Sequence, residues 1–321
     1  MIDHRYLRLG VRGLAAAHRA GTMAGHLGAA VAAGYFFGED AVGLGAEGLV
    51  DGPLPEAVAR GVEAELDRVI AGEEAIWFDA AKAGLTPADL FDDLPSEGGG
   101  EGCGPIVAAL MEAGGRLRQS GHNVIFASIA VRALTDHPDL ATPAAVRGVR
   151  RLMRAFVGQA EGRGYYGREA GWQPGAAVTV NAAPHASFAA MADAVLRELA
   201  ASAAVRTQGF GGLWHVANHA AAVIELARYG YRDEAAALLP GHARHLALYR
   251  SLPDVVGELG PVVAASENPW TAAYWAGDLK RDAARLTHRV KTLYGYQVVR
   301  ATASNAALRP PADRAFLFLM D

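Results

Sequence analysis

Four stretches of the chain are apolar almost all the way round, and this feature constrains the fold more than any other. A helix of this kind has almost no face for water and must be enclosed by the rest of the protein. The alanine and glycine residues in these stretches would let neighbouring helices approach closely. The stretches are Gly25–Phe37, His122–Leu134, His185–Leu196 and Trp214–Leu226.

A second set of predicted helices is charged on one face and apolar on the other. In Pro55–Ala71 the apolar stripe includes Val58, Val62 and Leu66, at helical spacing. The other members are Pro143–Val157, Arg232–Arg250 and Leu279–Tyr294. Alternation of enclosed and amphipathic helices predicts an all-α protein. We expect an α/α toroid or helical barrel, with buried inner helices and amphipathic outer ones.

Helices of the same two kinds lie on both sides of the one low-complexity segment. That segment is rich in glycine and runs over residues 95–105. The part of the chain before it would form only a small, poorly closed core. We therefore expect a single all-α domain over residues 1–321, with a mobile loop at 95–105.

Composition narrows the class of protein. The net charge of −4 argues against nucleic-acid binding, which needs a basic surface. The single cysteine, Cys103, excludes a disulfide framework and a cysteine-based zinc site. The long uncharged runs contain histidine and much glycine and alanine, so they indicate buried helices rather than membrane spans. With no signal peptide recognised, we expect a cytoplasmic protein that binds neither nucleic acid nor membrane.

Four histidines stand at or near the starts of the enclosed helices, and they are the candidate catalytic residues. They are His26, His122, His185 and His215. The helix starts of an inner ring can open on the same end of a central cavity, where the helix dipole favours a neutral imidazole. A neutral imidazole serves as a general base or a metal ligand. The alternative is that each histidine only forms hydrogen bonds within its own helix start.

His215 and His219 are four residues apart, a spacing that places two imidazoles on one helix face and allows them to share a metal ion. A third ligand would come from His185, His122 or Glu225. The candidate cofactor is therefore a divalent metal bound by His215 and His219. His242 and His245, by contrast, lie on a charged helix and are predicted to be solvated.

Aromatic residues near glycines are the candidate substrate-binding residues. Tyr165 and Trp172 lie in Gly162–Gly175, which we interpret either as a flexible lid or as an ordinary surface loop. Trp214 follows a glycine-rich turn and directly precedes His215. The basic and aromatic run Leu286–Tyr296 is interpreted as an outer helix or as a site for an anionic ligand.

Three histidines are each followed by an alanine-rich helix, in Gly25-His26-Leu27, Gly121-His122 and Pro184-His185. This pattern resembles the questin oxidase-like family of helical proteins. The resemblance covers these short pieces of chain, and no catalytic residue is carried over from it. It implies an oxidoreductase as one alternative function.

The sequence favours an enzyme without defining its class. We expect it to act on a small cyclic or planar organic molecule in a central histidine-lined cavity, by acid–base or metal-assisted chemistry. The alternatives are an oxidoreductase and a non-enzymatic helical-repeat binding or scaffold protein. An exposed apolar patch without a deep cavity would favour the scaffold.

Overall fold

The computed structural model is mostly helical, and the all-α class predicted from the sequence is confirmed. It describes the chain except for residues 40–41, 46–47, 52–53, 76–77, 79–82, 96–99, 101 and 283. Fourteen helices lie in the described residues. They are α1 (His4–Ala16), α2 (Gly25–Glu39), α3 (Glu56–Ile70), α4 (Gly104–Met111), α5 (His122–Asp136), α6 (Pro143–Ala155), α7 (Gly167–Ala170), α8 (Phe188–Ser202), α9 (Gly212–Arg228), α10 (Arg232–Arg250), α11 (Val256–Leu259), α12 (Ala272–Ala276), α13 (Arg285–Thr302) and α14 (Arg309–Phe316).

Two short antiparallel hairpins accompany the helices. In the first, β1 (Val42–Gly45) pairs with β2 (Gly48–Asp51). In the second, β3 (Arg163–Tyr165) pairs with β4 (Trp172–Pro174), with Tyr165 opposite Trp172. The segment predicted to be a lid or a surface loop is therefore a hairpin that encloses the short helix α7.

Four helices, α2, α5, α9 and α13, form the inside of the protein. Helix α2 packs against α5 and α13, and α9 packs against the same two helices. Each of the four therefore contacts two of the others, in a closed cycle. Nearly all of their residues are buried, as the apolar character of three of them predicts.

The remaining long helices cover this inner group. Helix α1 packs against α2 and α6, α3 against α2, and α10 against α9. Helix α8 contacts α9, α13 and α14. The predicted amphipathic helices α3, α6 and α10 are all found, with bounds that match the prediction within two residues.

The predicted outer helix Leu279–Tyr294 is wrong in its bounds and its position. The helix there is α13, which begins at Arg285 and is buried from Leu286 to Arg300. Its charges are buried because partners in the protein replace water: Arg289 Nη1 lies 2.5 Å from Glu65 Oε2, and both side chains are 2% exposed. Arg300 likewise pairs with Asp313 at 2.7 Å.

Part of the loop predicted at 95–105 lies outside the described residues, namely 96–99 and 101. Its mobility stays a prediction, as does the single domain over 1–321. Within the described part of the chain, no helix has both the length and the apolar character needed to cross a bilayer.

Glycines allow α1 and α2 to pack with their backbones in contact. A Cβ atom at Gly28 of α2 would overlap the backbone of Gly13 and Leu14 in α1. A Cβ atom at Gly10 of α1 would lie 2.6 Å from the backbone nitrogen of Ala32. Because backbone atoms cannot move aside as a flexible side chain can, this crossing depends on glycine.

We predict that Gly28→Ala lowers the free energy of unfolding by about 1–3 kcal/mol or more, because the added methyl group forces the two helices apart. Gly104→Ala is the matched control, since Gly104 lies in a helix and a Cβ there meets nothing within 4 Å. Urea denaturation of both variants tests this. Equal stability of the two variants would show that the α1–α2 crossing tolerates a side chain.

Candidate metal centre and the adjoining cleft

Each of the four inner helices contributes one histidine from its first turn. His26, His122, His215 and His288 come from α2, α5, α9 and α13, and all four are buried. One ring nitrogen from each lies within 4.8 Å of the others. Because the four histidines sit at helix starts and meet at one place, the N-termini of the four helices converge there.

A backbone carbonyl determines the tautomer of each imidazole. The Nδ1 atom of every ring in the cluster lies within hydrogen-bond distance of a carbonyl oxygen three or four residues earlier. Since a carbonyl only accepts, each Nδ1 must carry the proton, and in a neutral ring Nε2 then has a free lone pair. The four bonds are His26 to Met23 at 2.7 Å, His122 to Gln119, His215 to Gly211 at 2.6 Å and His288 to Ala284 at 2.7 Å.

The Nε2 atoms of the cluster face one another. The distance between Nε2 atoms is 2.9 Å for His26 and His122, 2.8 Å for His122 and His215, and 3.1 Å for His215 and His288. With the Nδ1 protons fixed as above, neutral rings have no proton to place between these atoms. Lone pairs at such distances repel unless a cation or added protons lie between them.

The four rings are arranged as a four-sided figure rather than a tetrahedron. Successive ring centroids are 4.4, 4.4 and 4.6 Å apart, and His288 closes the figure at 5.1 Å from His26. The diagonal from His26 to His215 is longer, at 6.3 Å. In a regular tetrahedron all pairs would be equally distant, so the longer distance between His26 and His215 shows that the ring centroids depart from that arrangement.

The turns before three of these helices are conformationally strained. Among the described residues, the non-glycine residues with positive φ are Gln119, Ser120, Phe210 and Ala284. All four lie within the turns that supply the carbonyls for His122, His215 and His288. Positive φ in non-glycine residues costs free energy and persists where the surrounding structure enforces it, often at functional sites.

Burial lowers the pKa of all four histidines, and the nearby Lys291 lowers it further. The pKa of His215 falls to about 3. A charged imidazole loses its hydration when it is buried, so the neutral ring is favoured. At neutral pH these four side chains are therefore in the form that binds metal ions.

Lys291, which the sequence analysis did not select, lies one turn after His288 on α13. It is 2% exposed, and burial lowers its pKa to about 7, although the carboxylate of Glu74 opposes this. Glu74 is itself buried, and its Oε2 accepts a hydrogen bond from the backbone nitrogen of Thr287 at 3.1 Å. The centre therefore has, beside its imidazoles, an amine that changes charge near neutral pH.

A cleft of about 640 Å³ reaches the cluster from the side of His215 and His288, which are among its lining residues. Trp172 and Trp214 line it as well. The Trp214 ring stacks on the His288 ring, with centroids 5.2 Å apart and planes 19° from parallel. The Nε1 atom of Trp214 donates a hydrogen bond to the carbonyl of Leu319 at 2.9 Å, which fixes the indole in the wall.

Three of the four candidate catalytic histidines are brought together, but His185 is not. Helix α8 begins at Phe188 with Ser187 as its N-cap, so His185 lies in the segment before the helix. Its Nε2 is 3.0 Å from His242 Nδ1. His185 therefore lies near a helix start, two residues before the N-cap Ser187, but outside the cluster.

Of the candidate substrate-binding residues, Trp172 and Trp214 line the cleft and Tyr165 is not among the lining residues. The Tyr165 hydroxyl donates to Glu258 Oε2 at 2.7 Å, and its ring centroid is 5.6 Å from that of Trp172. Tyr165 therefore stabilises the hairpin that carries Trp172 and does not itself line the cleft.

The pair His215 and His219 does not share one site. His219 faces α10, where its Nδ1 is 3.2 Å from His245 Nδ1. His242 and His245 are fully buried, so their predicted solvation is wrong. They are buried because backbone carbonyls satisfy them: His242 Nε2 donates to Val216 at 3.1 Å and His245 Nε2 donates to Phe210 at 2.8 Å.

The member of the cluster that sequence reasoning missed is His288. His26, His122 and His215 were identified because each lies at the start of an apolar helix. His288 was not, because the sequence predicts a helix that begins at Leu279 and has a solvated, charged face. The structure starts α13 at Arg285, which makes His288 its fourth residue, as His215 is the fourth of α9.

Imidazole donors suit zinc, copper, iron and nickel ions, and none of the four neutral histidines would need to lose a proton to bind one. A comparison with protein-family models, with curated proteins and with solved structures finds no match. The assignment of the centre therefore depends on its own geometry and on the chemistry of its donors.

We predict that the metal-free protein loses stability as the pH falls below about 6.5, by about 2 kcal/mol or more between pH 7.5 and pH 5. Unfolded histidines take up protons in this range. The buried ones do not, since the pKa of His215 is about 3 and that of His245 about 4 when folded. The unfolded state therefore gains protons, and the free energy of unfolding decreases. Urea denaturation at the two pH values tests this, and a free energy of unfolding that does not change would contradict the neutral assignment.

Proposed function

We propose that the protein is a metal-dependent enzyme in which His26, His122, His215 and His288 bind one transition-metal ion. The observation that carries the proposal is the convergence of four Nε2 atoms whose rings are held as Nδ1–H tautomers. A cation at their centre would remove the repulsion between the lone pairs. The carbonyl bonds would then play the orienting role that partners of metal-binding histidines have in other proteins.

The four-sided arrangement supports copper, nickel or iron more than zinc. Zinc prefers a tetrahedral site, whereas Cu(II) and Ni(II) favour tetragonal nitrogen ligands. The four histidines would hold the ion, and the cleft beside His215 and His288 would bring a substrate to it. When bound, such an ion supplies redox chemistry or polarises an oxygen atom of the substrate.

The side chains of the cleft favour an oxidoreductase over a hydrolase. Metal-assisted hydrolysis is usually aided by a carboxylate or another base beside the bound water. Among the described residues that line the cleft, the one carboxylate side chain is that of Asp321. It is engaged by Lys280 at 2.6 Å, so it is poorly placed to act as a base. Trp172 and Trp214 would hold a planar organic substrate in the cleft beside His215 and His288.

We further propose that the helices form a toroid-like barrel around the centre. The closed cycle of contacts among α2, α5, α9 and α13 and the meeting of their N-termini support this arrangement. The cleft beside the histidines counts against the alternative of a scaffold protein, which would present an apolar surface without a cavity.

We predict that the purified protein binds one metal ion per chain and that His288→Ala weakens the affinity by about 100-fold or more, since one of four ligands is lost. His122→Ala should have the same effect. His185→Ala is the matched control, because His185 is a histidine near a helix start that lies outside the cluster. Isothermal titration of metal-stripped protein with Cu(II) measures the affinity.

The melting temperature gives a second readout of this experiment. Bound metal stabilises the folded state, so Cu(II) should raise the melting temperature of the wild type and of His185→Ala but not of His288→Ala. The proposal would be overturned by a His288→Ala protein that folds and binds Cu(II) as the wild type does, or by an equal loss in His185→Ala.

A further inference from the structure

The cleft beside the centre is strongly basic. Four cationic side chains line it, from Arg163, Arg206, Lys280 and Arg285, against the single carboxylate side chain of Asp321 among the described lining residues. Cations in a cleft with low-dielectric walls attract anions more strongly than they do on an open surface. The balance of charge therefore indicates a negatively charged ligand.

Two of the four cations are already neutralised by carboxylates. Lys280 Nζ lies 2.6 Å from Asp321 Oδ2. Arg285 Nη1 lies 3.0 Å from Asp282 Oδ1, and its Nη2 is 4.0 Å from Asp321 Oδ2. These two side chains therefore have less to offer an incoming anion.

Arg163 and Arg206 differ from Lys280 and Arg285. Neither forms an ion pair within the described residues. The Nε atom of Arg206 is buried and has no hydrogen-bond partner in the protein. A buried donor without an acceptor is costly, so it indicates that something else supplies the acceptor. Arg163 instead lies over the Trp172 ring, at 5.8 Å from its centroid.

Backbone hydrogen bonds join the chain segments that carry the two arginines to the segment that leads into the histidine cluster. Phe210 donates to the carbonyl of Arg163 at 2.7 Å, and Tyr165 donates to the carbonyl of Gln208 at 2.8 Å. Strand β3 therefore runs beside the segment that follows Arg206 and leads into α9. This segment and the start of α9 carry Trp214 and His215, so both arginines lie on chain segments fixed relative to the metal ligands.

We propose that the cleft binds a planar aromatic carboxylate, with its carboxylate on Arg206 and Arg163 and its ring between Trp172 and Trp214. This inference deepens the proposed function, since it names the substrate class of the same site. Arginine matches a carboxylate because its planar N–H groups donate to both oxygens at once. The two tryptophans supply flat apolar surfaces for the ring.

The test measures the binding of 2-naphthoate and its neutral counterpart 2-naphthamide to metal-free protein by isothermal titration. Naphthoate should bind at least about tenfold more tightly than naphthamide, because hydrogen bonds to charged groups are the stronger kind. Arg206→Met should remove most of this preference, and Arg163→Met should reduce it. Neither change should alter the binding of naphthamide by more than about threefold.

Arg154→Met is the matched control. Arg154 is half-exposed and pairs with Glu112 at 3.0 Å, and it is not among the lining residues of the cleft. The Arg154→Met variant should bind naphthoate as tightly as the wild type does. The backbone carbonyl of Arg206 accepts a hydrogen bond from the Val255 nitrogen at 2.8 Å, and this bond is kept in the Arg206→Met variant. If Arg206→Met nevertheless unfolds, Arg163→Met decides the outcome.

The inference is overturned if naphthoate and naphthamide bind equally, if neither binds at millimolar concentration, or if the folded arginine variants keep the preference. Because these titrations use metal-free protein, they do not depend on the four histidines holding an ion. Conversely, if the Cu(II) titrations show no metal binding, the proposal of a carboxylate site is unaffected. The two experiments therefore distinguish a wrong substrate class from a wrong metal centre.

Discussion

Four hydrogen bonds between imidazoles and backbone carbonyls are the interactions on which the rest of the site depends. Each fixes a proton on Nδ1 and turns an Nε2 lone pair toward the centre. Without them the same four rings could pair with each other as ordinary donors and acceptors. With them, the lone pairs of neutral rings face one another, an unfavourable contact that a bound cation would relieve. The geometry is therefore one that could bind a metal ion.

The fold is arranged so that these bonds can form. Four helices start at the same place, and strained turns before three of them aim a carbonyl at the following histidine. The outer helices exclude water, which keeps the imidazoles neutral and lowers the pKa of Lys291 to about 7. Strain and burial both cost stability in the metal-free protein, and a bound cation would offset part of that cost.

Much of the fold could be predicted from the sequence because three of the inner helices are apolar almost all the way round. Helices α2, α5 and α9 lie within a few residues of where the pattern places them. Helix α13 could not be recognised in this way, because buried arginines and Lys291 imitate a solvated face. Their partners come from distant parts of the chain: Glu65, for example, lies 224 residues before Arg289.

The contrast between the apolar inner helices and the charged helix α13 also explains which site residues could be predicted. His26, His122 and His215 were identified because they interrupt an apolar helix at its start, which is a local signal. His288 was missed because its helix was misread, and His185 was included although its helix begins later. The pairing of His219 with His245 depends on how α9 meets α10, which spacing along one helix does not reveal.

X-ray absorption spectroscopy of the protein loaded with one equivalent of Cu(II) tests the central claim most directly, because it counts imidazole ligands around the ion. We expect four imidazole nitrogens at about 2 Å, in a tetragonal arrangement. A spectrum with only one or two imidazoles, and oxygen ligands in place of the rest, would contradict the convergence of four Nε2 atoms on a single ion.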